Sequence, residues 1–458
     1  MVFLLFLYYL CAAAGMMASN DAQAFHETAE VIPNEYVIVL KENAPIIHTM
    51  DELCTVEMQC ASSIRITLRN VINGRQFITI SGDDTDVGSF VRNPFVKTVG
   101  PNVRIVAFKT TESIDVDKTE TPTTMCISQN VTKLWGLDRL DQREGVSSNM
   151  EYIYGVMDEH GADVNAYVVD SGVDVTNTEF DGRAVWGFTA DDVGSDQDLN
   201  GHGTHVAGTI GAATYGVAKE SFIIAVKVLN SQGLGSASGL ISGLEWLVND
   251  YNRRGKPHSV VNLSLGFNGI SESVDDAVQA VVDAGIPVVV AAGNSNADAC
   301  GVTPAHISDV ITVGAHDVKD TTANFSNWGT CLDIWAPGKD ILSITPLYPW
   351  VLSGTSMASP HVAGVIARYL GTMTSTKPSV AEVAHWLDSM STRDYLTFDD
   401  DQKTSSPNKM AFIDCARSWT TPVMTTTTGA NPQLMSSHCC LCVTLLWCLI
   451  NRLMEAAV

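Results

Sequence analysis

Five short runs in the chain are almost continuously apolar, and stretches of helical periodicity separate them. The runs are residues 165–170 (NAYVVD), 222–228 (FIIAVKV), 259–265 (SVVNLSL), 286–292 (IPVVVAA) and 310–314. A strand with one wet face alternates apolar and polar residues; a strand covered on both faces does not. Helical stretches at 238–254 and 273–284 fall between the runs. Strand–helix alternation with doubly covered strands predicts a doubly wound, mostly parallel α/β sheet. In such a sheet, functional groups gather at strand carboxyl ends and helix N-termini.

The flanks read differently. Residues 35–109 contain YVIVL, FITIS and VRIVAF, a βαβ-like pattern of short strands around one helix. A small α+β domain is expected there. Residues 110–129 turn acidic and Thr-rich, the composition of an exposed linker. Residues 1–14 are apolar and end in small residues, and Ala22-Gln23-Ala24 offers an A-x-A cleavage site, so residues 1–24 read as a signal peptide. The expected order is signal peptide 1–24, small domain and linker 25–118, main domain 119–419, and a tail 420–458. The tail carries a Thr run and then CCLCVTLLWCLI at 439–450. A membrane contact, a partner helix and a processed remnant all remain open for it.

Charge narrows the partners. With 27 basic and 51 acidic residues the net charge is −24, so nucleic acid is not an expected partner. Eleven cysteines in a secreted chain point to some disulfides. Their spacing matches no zinc motif.

Four residues stand where such a sheet puts chemistry. Asp170 ends the first strand, in VVDSGVD. His202 opens a small-residue helix in NGHGTHVAGTIGA. Asn294 follows the strand VVVAAGN, and Ser356 follows a glycine turn in SGTSMASPHVAG. Singly these read as caps or turn residues. His202 and His205 lack the glutamate and third ligand of a metal motif. Together they supply what acyl transfer needs: a nucleophile, its base, a carboxylate to orient the base and a donor for the oxyanion. The order Asp, His, Ser is one of three known for this constellation, and not that of α/β-hydrolases.

Over residues 135–419 the sequence resembles the subtilisin-like serine proteases, and within them the proteinase K-like group. The resemblance rests on NGHGTHVAGTIG, YGVAK, VKVL, NLSLG, AAGN, DIWAPG and SGTSMASPHVAG. It implies that Asp170 orients His202, that His202 takes the proton of Ser356, and that Asn294 and the Ser356 N–H form the oxyanion hole. Residues 35–109 are similar to that family's inhibitory propeptide, with self-cleavage expected between Thr110 and Gln129. The first turn of the helix after Ser356 is expected to tolerate Pro360.

The resemblance also implies a channel that binds peptides as an added strand. Its edges would be Gly233-Leu234-Gly235 and Ser264-Leu265-Gly266. Nothing acidic lines these segments, so an apolar or aromatic preference is expected. Ala237 stands where relatives carry a bulky tyrosine, and Val206 where proteinase K has a cysteine. Asp333 with the carbonyls of Ser308 and Val310 matches a calcium site, and Cys300–Cys331 a disulfide. Asn130 and Asn324 are exposed-looking glycosylation sequons; Asn262 is a third, on a buried strand.

The expected protein is a secreted, self-processing serine endopeptidase, without a catalytic cofactor and with structural calcium. Its partners would be protein substrates and its own propeptide, with a membrane contact through the tail among the readings left open. The alternative is a binding protein of the same fold that cuts only itself and stays blocked. An esterase is disfavoured by chain order and by the glycine-edged channel.

Overall fold

The computed structural model describes residues 29–49, 53–54, 64–83, 87, 90–111, 127–147, 150–154, 160–373 and 377–414. The expected signal peptide and tail lie outside the described residues. Among the described residues, no helix is long and apolar enough to cross a membrane.

The chain begins with β1 (Val31–Leu40), β2 (Arg65–Ile72), β3 (Arg75–Ser81) and β4 (Val96–Ala107), which form a sheet in the order β4-β1-β3-β2. Every pairing among them is antiparallel, which corrects the βαβ-like expectation. Asn73 and Gly74 explain one pairing. Both have positive φ (47° and 84°), and a two-residue Asn-Gly turn of that kind can only fold β3 back along β2. The period-2 alternation of β1 serves two cores. Ile38 and Leu40 face a small cluster with Ile78, Ile80 and Phe90. Val37 and Val39 point the other way, into the main core.

Thr110–Thr111 forms a short strand, β5, paired with Ser353 and Leu352. The linker therefore begins later than Thr110. A hairpin of β6 (Ile127–Asn130) and β7 (Glu151–Tyr154) comes next, with α1 (Trp135–Leu140) between its strands. Then come β8 (Asn165–Asp170), β9 (Ala184–Thr189), α2 (His202–Gly211), β10 (Phe222–Lys227), β11 (Leu234–Ser236) and α3 (Ala237–Arg253). After them run β12 (Ser259–Leu263), β13 (Leu265–Asn268), α4 (Glu272–Asp283), β14 (Val288–Ala291), β15 (Val302–Thr303), β16 (Ile311–His316) and β17 (Ile334–Pro337). The described part ends with β18 (Ile341–Ser343), β19 (Trp350–Ser353), α5 (Thr355–Gly371), α6 (Val380–Met390), β20 (Thr392–Arg393) and β21 (Lys409–Met410).

The large sheet has the order β20-β21-β17-β16-β14-β12-β8-β10-β9 and is parallel except at its β20–β21 edge. Tyr167, Val169, Ile224 and Val226 pack with Leu240 and Leu244 of α3 and with residues of α4. Helices α2 and α5 cover the opposite face. This is the expected doubly wound α/β fold. The chain fills the sheet on one side of β8, then returns to fill the other. Beside β8 lies the point where the winding reverses, and ligands bind there at strand carboxyl ends.

Candidate active site

The structure brings Asp170, His202, Asn294 and Ser356 to one cleft at that reversal. Asp170 is the last residue of β8, and His202 is the first of α2. His202 Nδ1 and Asp170 Oδ1 are 2.7 Å apart, and both side chains are fully buried. A carboxylate on Nδ1 leaves Nε2 as the free ring nitrogen, and Nε2 has no hydrogen-bond partner. Gly203 lets α2 sit this close: a Cβ there would lie 2.1 Å from the Gly172 carbonyl and 3.1 Å from Asp170 Cβ.

Asn294 is held by its oxygen. Oδ1 accepts from Thr355 N–H and from the Thr355 hydroxyl, each at 2.9 Å. The amide nitrogen Nδ2 is therefore left buried and unpartnered, a donor with nothing to donate to. Ser356 sits in the first turn of α5, where backbone N–H groups lack intrahelical acceptors. Its hydroxyl donates to the Ser264 carbonyl at 2.9 Å.

Pro360 plays a larger part than expected. It lies one full turn into α5, so its missing N–H would leave the Ser356 carbonyl unpaired. The Ser264 hydroxyl donates to that carbonyl at 3.0 Å. Two reciprocal bonds thus tie Ser264 to Ser356, and the proline gap is what admits one of them.

The expected channel edges also assemble, and the chain's own β4 lies between them. Leu234, Gly235 and Ser236 of β11 pair antiparallel with Val106, Ile105 and Arg104. Leu265 and Gly266 of β13 pair antiparallel with Ala107 and Val106. Ala107 N–H donates to the Gly233 carbonyl (3.1 Å), and Phe108 N–H to the Ser264 carbonyl (3.4 Å). Glycine is required where the strand comes closest: a Cβ on Gly266 would meet the Phe108 ring at 3.0 Å. A Cβ on Gly354 would lie 2.4 Å from the Phe108 carbonyl oxygen, 3.1 Å from Asn294 Nδ2 and 3.2 Å from Lys109 Cα. The Phe108–Lys109 peptide bond therefore lies beside Asn294 and the start of α5.

Several residues at the site were not singled out from sequence. Asp198 Oδ1 accepts from the Ser171 hydroxyl, Asn200 N–H and Gly201 N–H, and Oδ2 from Thr204 N–H and hydroxyl. It thereby shapes the loop that presents His202. Lys227 donates to the Ser171 and Leu229 carbonyls beneath it. Their only sequence signal is position: Asp198 and Asn200 fall within four residues of His202. His205 does not join the site. Its Nε2 reaches the Ile341 and Trp350 carbonyls (3.0 and 3.1 Å), and burial pushes its pKa down to about 3.

Elsewhere, Cys300 and Cys331 are joined, with Cα atoms 5.3 Å apart. Ala237 and Val206 are both fully buried. Asn130 and Asn324 are exposed, while Asn262 is 1% exposed and donates to the Ser264 hydroxyl. Ser308, Val310 and Asp333 line one cavity of about 470 Å3.

An α/β sheet with Asp, His, Asn and Ser converging at its winding reversal defines the structural class. Comparison with known proteins narrows it. The Subtilase family matches residues 161–401. A Subtilisin-like serine protease Pen ch 18 of Penicillium rubens is 46% identical over 264 residues, 55% of this chain and 52% of the relative. The chain thus spans about half the length of the first such relatives. An Extracellular serine proteinase of Thermus sp. (strain Rt41A) is 38% identical over 372 residues, 77% of this chain and 84% of the relative. A crystal structure of a cold adapted subtilisin-like serine proteinase aligns with TM-score 0.55 and 40% identity, over 62% of this chain and 98% of that one. The chain belongs to the subtilase family.

Proposed function

We propose that the protein is a secreted serine endopeptidase that first cuts its own chain at Phe108–Lys109 and then acts on other proteins. One observation carries this reading. Residues 104–108 lie as an added strand between two backbone edges, with the Phe108 carbonyl beside Asn294 and Gly354. The bond lies upstream of the window 110–129. Composition reports which segment is exposed, but strand register decides which bond meets the nucleophile.

The geometry supports the following roles. The Ser356 hydroxyl exchanges its bond to the Ser264 carbonyl for His202 Nε2, which takes the proton as Oγ attacks the Phe108 carbonyl carbon. Asp170 fixes the ring tautomer and stabilises the imidazolium. Asn294 Nδ2 and the Ser356 N–H donate to the oxyanion. As the C–N bond breaks, His202 returns the proton to the Lys109 amine, and water then releases the acyl group. Phe108 against Gly266 supports an apolar or aromatic preference before the cut. The released residues 25–108 then act as an inhibitor, because the cleft already fits them.

Secretion is supported by the A-x-A signal at 22–24 and by a relative named extracellular. That Ser308, Val310 and Asp333 line one cavity supports the structural calcium that the resemblance implies. Among the described residues no group of three or more His, Cys, Asp or Glu gathers as ligands, so carbonyls would complete the set.

Expression of the full chain beside Ser356→Ala tests the proposal. Wild type should yield a new N-terminus at Lys109 and hydrolyse casein; Ser356→Ala should remain uncut and inactive. A new N-terminus elsewhere refutes the bond. Self-cleavage with no casein hydrolysis, even after the N-terminal piece is degraded, favours the binding protein.

A further inference from the structure

Phe108, the residue before the scissile bond, is seated against Gly266; the residue after that bond has a site of its own. Lys109 turns its side chain back along the cleft, and its ammonium donates to Asn200 Oδ1 at 2.5 Å. Asn200 is not free to choose its orientation. Its Nδ2 donates to the Ser231 carbonyl (2.9 Å), and its backbone N–H to Asp198 Oδ1 (3.1 Å). With Nδ2 anchored on the Ser231 carbonyl, the oxygen faces the cleft, so the position presents an acceptor.

The surrounding charge has the same sign preference. Asp170 and Asp198 are both buried, and both favour a cation at Lys109. Among the described residues, Lys227 is the ammonium that both carboxylates also act on. Two carboxylates face one ammonium, that of Lys227, before Lys109 is counted. Asp170 Oδ2 has no hydrogen-bond partner at all. A second cation from the substrate closes that balance at the residue just past the scissile bond. Burial draws the Lys109 pKa down, and the two carboxylates oppose that shift.

We propose that the cleft selects lysine immediately after the scissile bond, with Asn200 Oδ1 as the acceptor and Asp170 and Asp198 as the attracting field. The proposal rests on the endopeptidase reading with Phe108 before the cut. It gives the enzyme a two-sided preference: a large apolar residue, then lysine. The discrimination is a binding effect. The Asn200 contact is made in the bound ground state and is not changed by the chemical step, so the preference should appear in KM and not in kcat.

The test uses enzyme matured from the full chain and two internally quenched octapeptides. One has the sequence of residues 104–111, RIVAFKTT; the other carries norleucine in place of its lysine, which keeps the four-carbon stem and loses the ammonium. The lysine peptide should be cut with kcat/KM about tenfold higher, through a lower KM, as expected for one charge-assisted hydrogen bond. Asn200→Leu should bring the ratio to about one, with the larger loss in the lysine peptide. Asn200→Asp, which keeps shape and adds charge, should raise the ratio above wild type. Equal kcat/KM for both peptides in wild type, each cut after Phe, overturns the lysine site and leaves the endopeptidase reading standing. Cleavage of neither peptide above the Ser356→Ala level overturns both.

Discussion

The two sheets solve the burial problem in opposite ways. The large sheet is covered on both faces by its own helices, and its strands are buried along their length. The small sheet owns only one of its faces. Ile38, Leu40, Ile78 and Ile80 build a core within residues 31–107, while Val37, Val39, Phe77, Val103 and Ile105 join the core of α3 and α4. Polar contacts repeat the pattern. Asn70 and the Val71 N–H meet Glu245 of α3, and Arg75 and Lys97 meet Asp276 and Asp283 of α4. A sheet that shares half its core gains much of its order from its partner and is marginal alone. That suits the proposed release of the segment after the cut. The self-sufficient sheet is the one that carries Asp170 at the end of β8 and Asn294 just past β14.

The sharpest way to test that division is at a strand end. Asn294→Ala should lower kcat about 10²–10³-fold with KM little changed, the range established for loss of one oxyanion donor in a subtilisin. It also orphans the buried Thr355 N–H, a cost of about 1–3 kcal/mol in stability. Steady-state kinetics with parallel thermal melts separate the two. An unchanged kcat would mean that the unpartnered Nδ2 does not face the developing charge.

The same contrast explains what could be read from the sequence. Residues buried on both faces leave a continuous apolar signature, so the five strands and the helices between them were legible. So were Asp170, His202, Asn294 and Ser356, because strand ends and helix starts carry glycine and small-residue punctuation. The Asn73-Gly74 turn was legible in principle and marks the antiparallel pairing that the βαβ-like expectation missed. The path of β4 was not. VRIVAF alternates as any sheet strand does, and nothing local says that Arg104 to Ala107 leave β1 for edges 128 or more residues away. Pairing across that distance is a property of the whole fold. Asn200 was hidden for a similar reason: its acceptor role exists only because Ser231 takes its donor.

A second prediction asks whether the two faces of the small sheet are as separate as they look. In the uncut Ser356→Ala chain, Phe77→Ala and Ile78→Ala alter neighbouring residues that point into different cores. Each should cost about 2–5 kcal/mol locally. Phe77→Ala should reduce hydrogen-exchange protection in β1–β3 and in the facing helix α3. Ile78→Ala should reduce it in β1–β3 and leave α3 as in the parent. Equal loss in α3 for both variants would mean that the small sheet has a single core continuous with the large one.

The smallest expected effect lies far from the shared face, inside the self-sufficient region. Lys219 is 7% exposed, and its ammonium donates to the Ala213 and Thr214 carbonyls (3.1 and 3.2 Å). It also lies 5.5 and 5.1 Å from the ring centres of Tyr152 and Tyr154. Burial lowers its pKa to about 7; Glu179 opposes the shift, and Arg368 and Arg183 add to it. The unfolded chain keeps this lysine protonated up to about pH 10.4. Between those values the unfolded state binds more protons than the folded one, so stability rises with pH across that window. Below about pH 7 both states are protonated and the folded state bears the full cost of the buried charge. Denaturant unfolding of the Ser356→Ala chain from pH 7.5 to 9.5 should therefore show a positive slope of up to ~1.4 kcal/mol per pH unit, the limit for one proton. Lys219→Met should remove that slope and leave the hydrogen-exchange protection of β1–β4 unchanged. A slope that survives the substitution would assign the proton to another group. A change in β1–β4 protection would show that the large region's strain reaches the shared face after all.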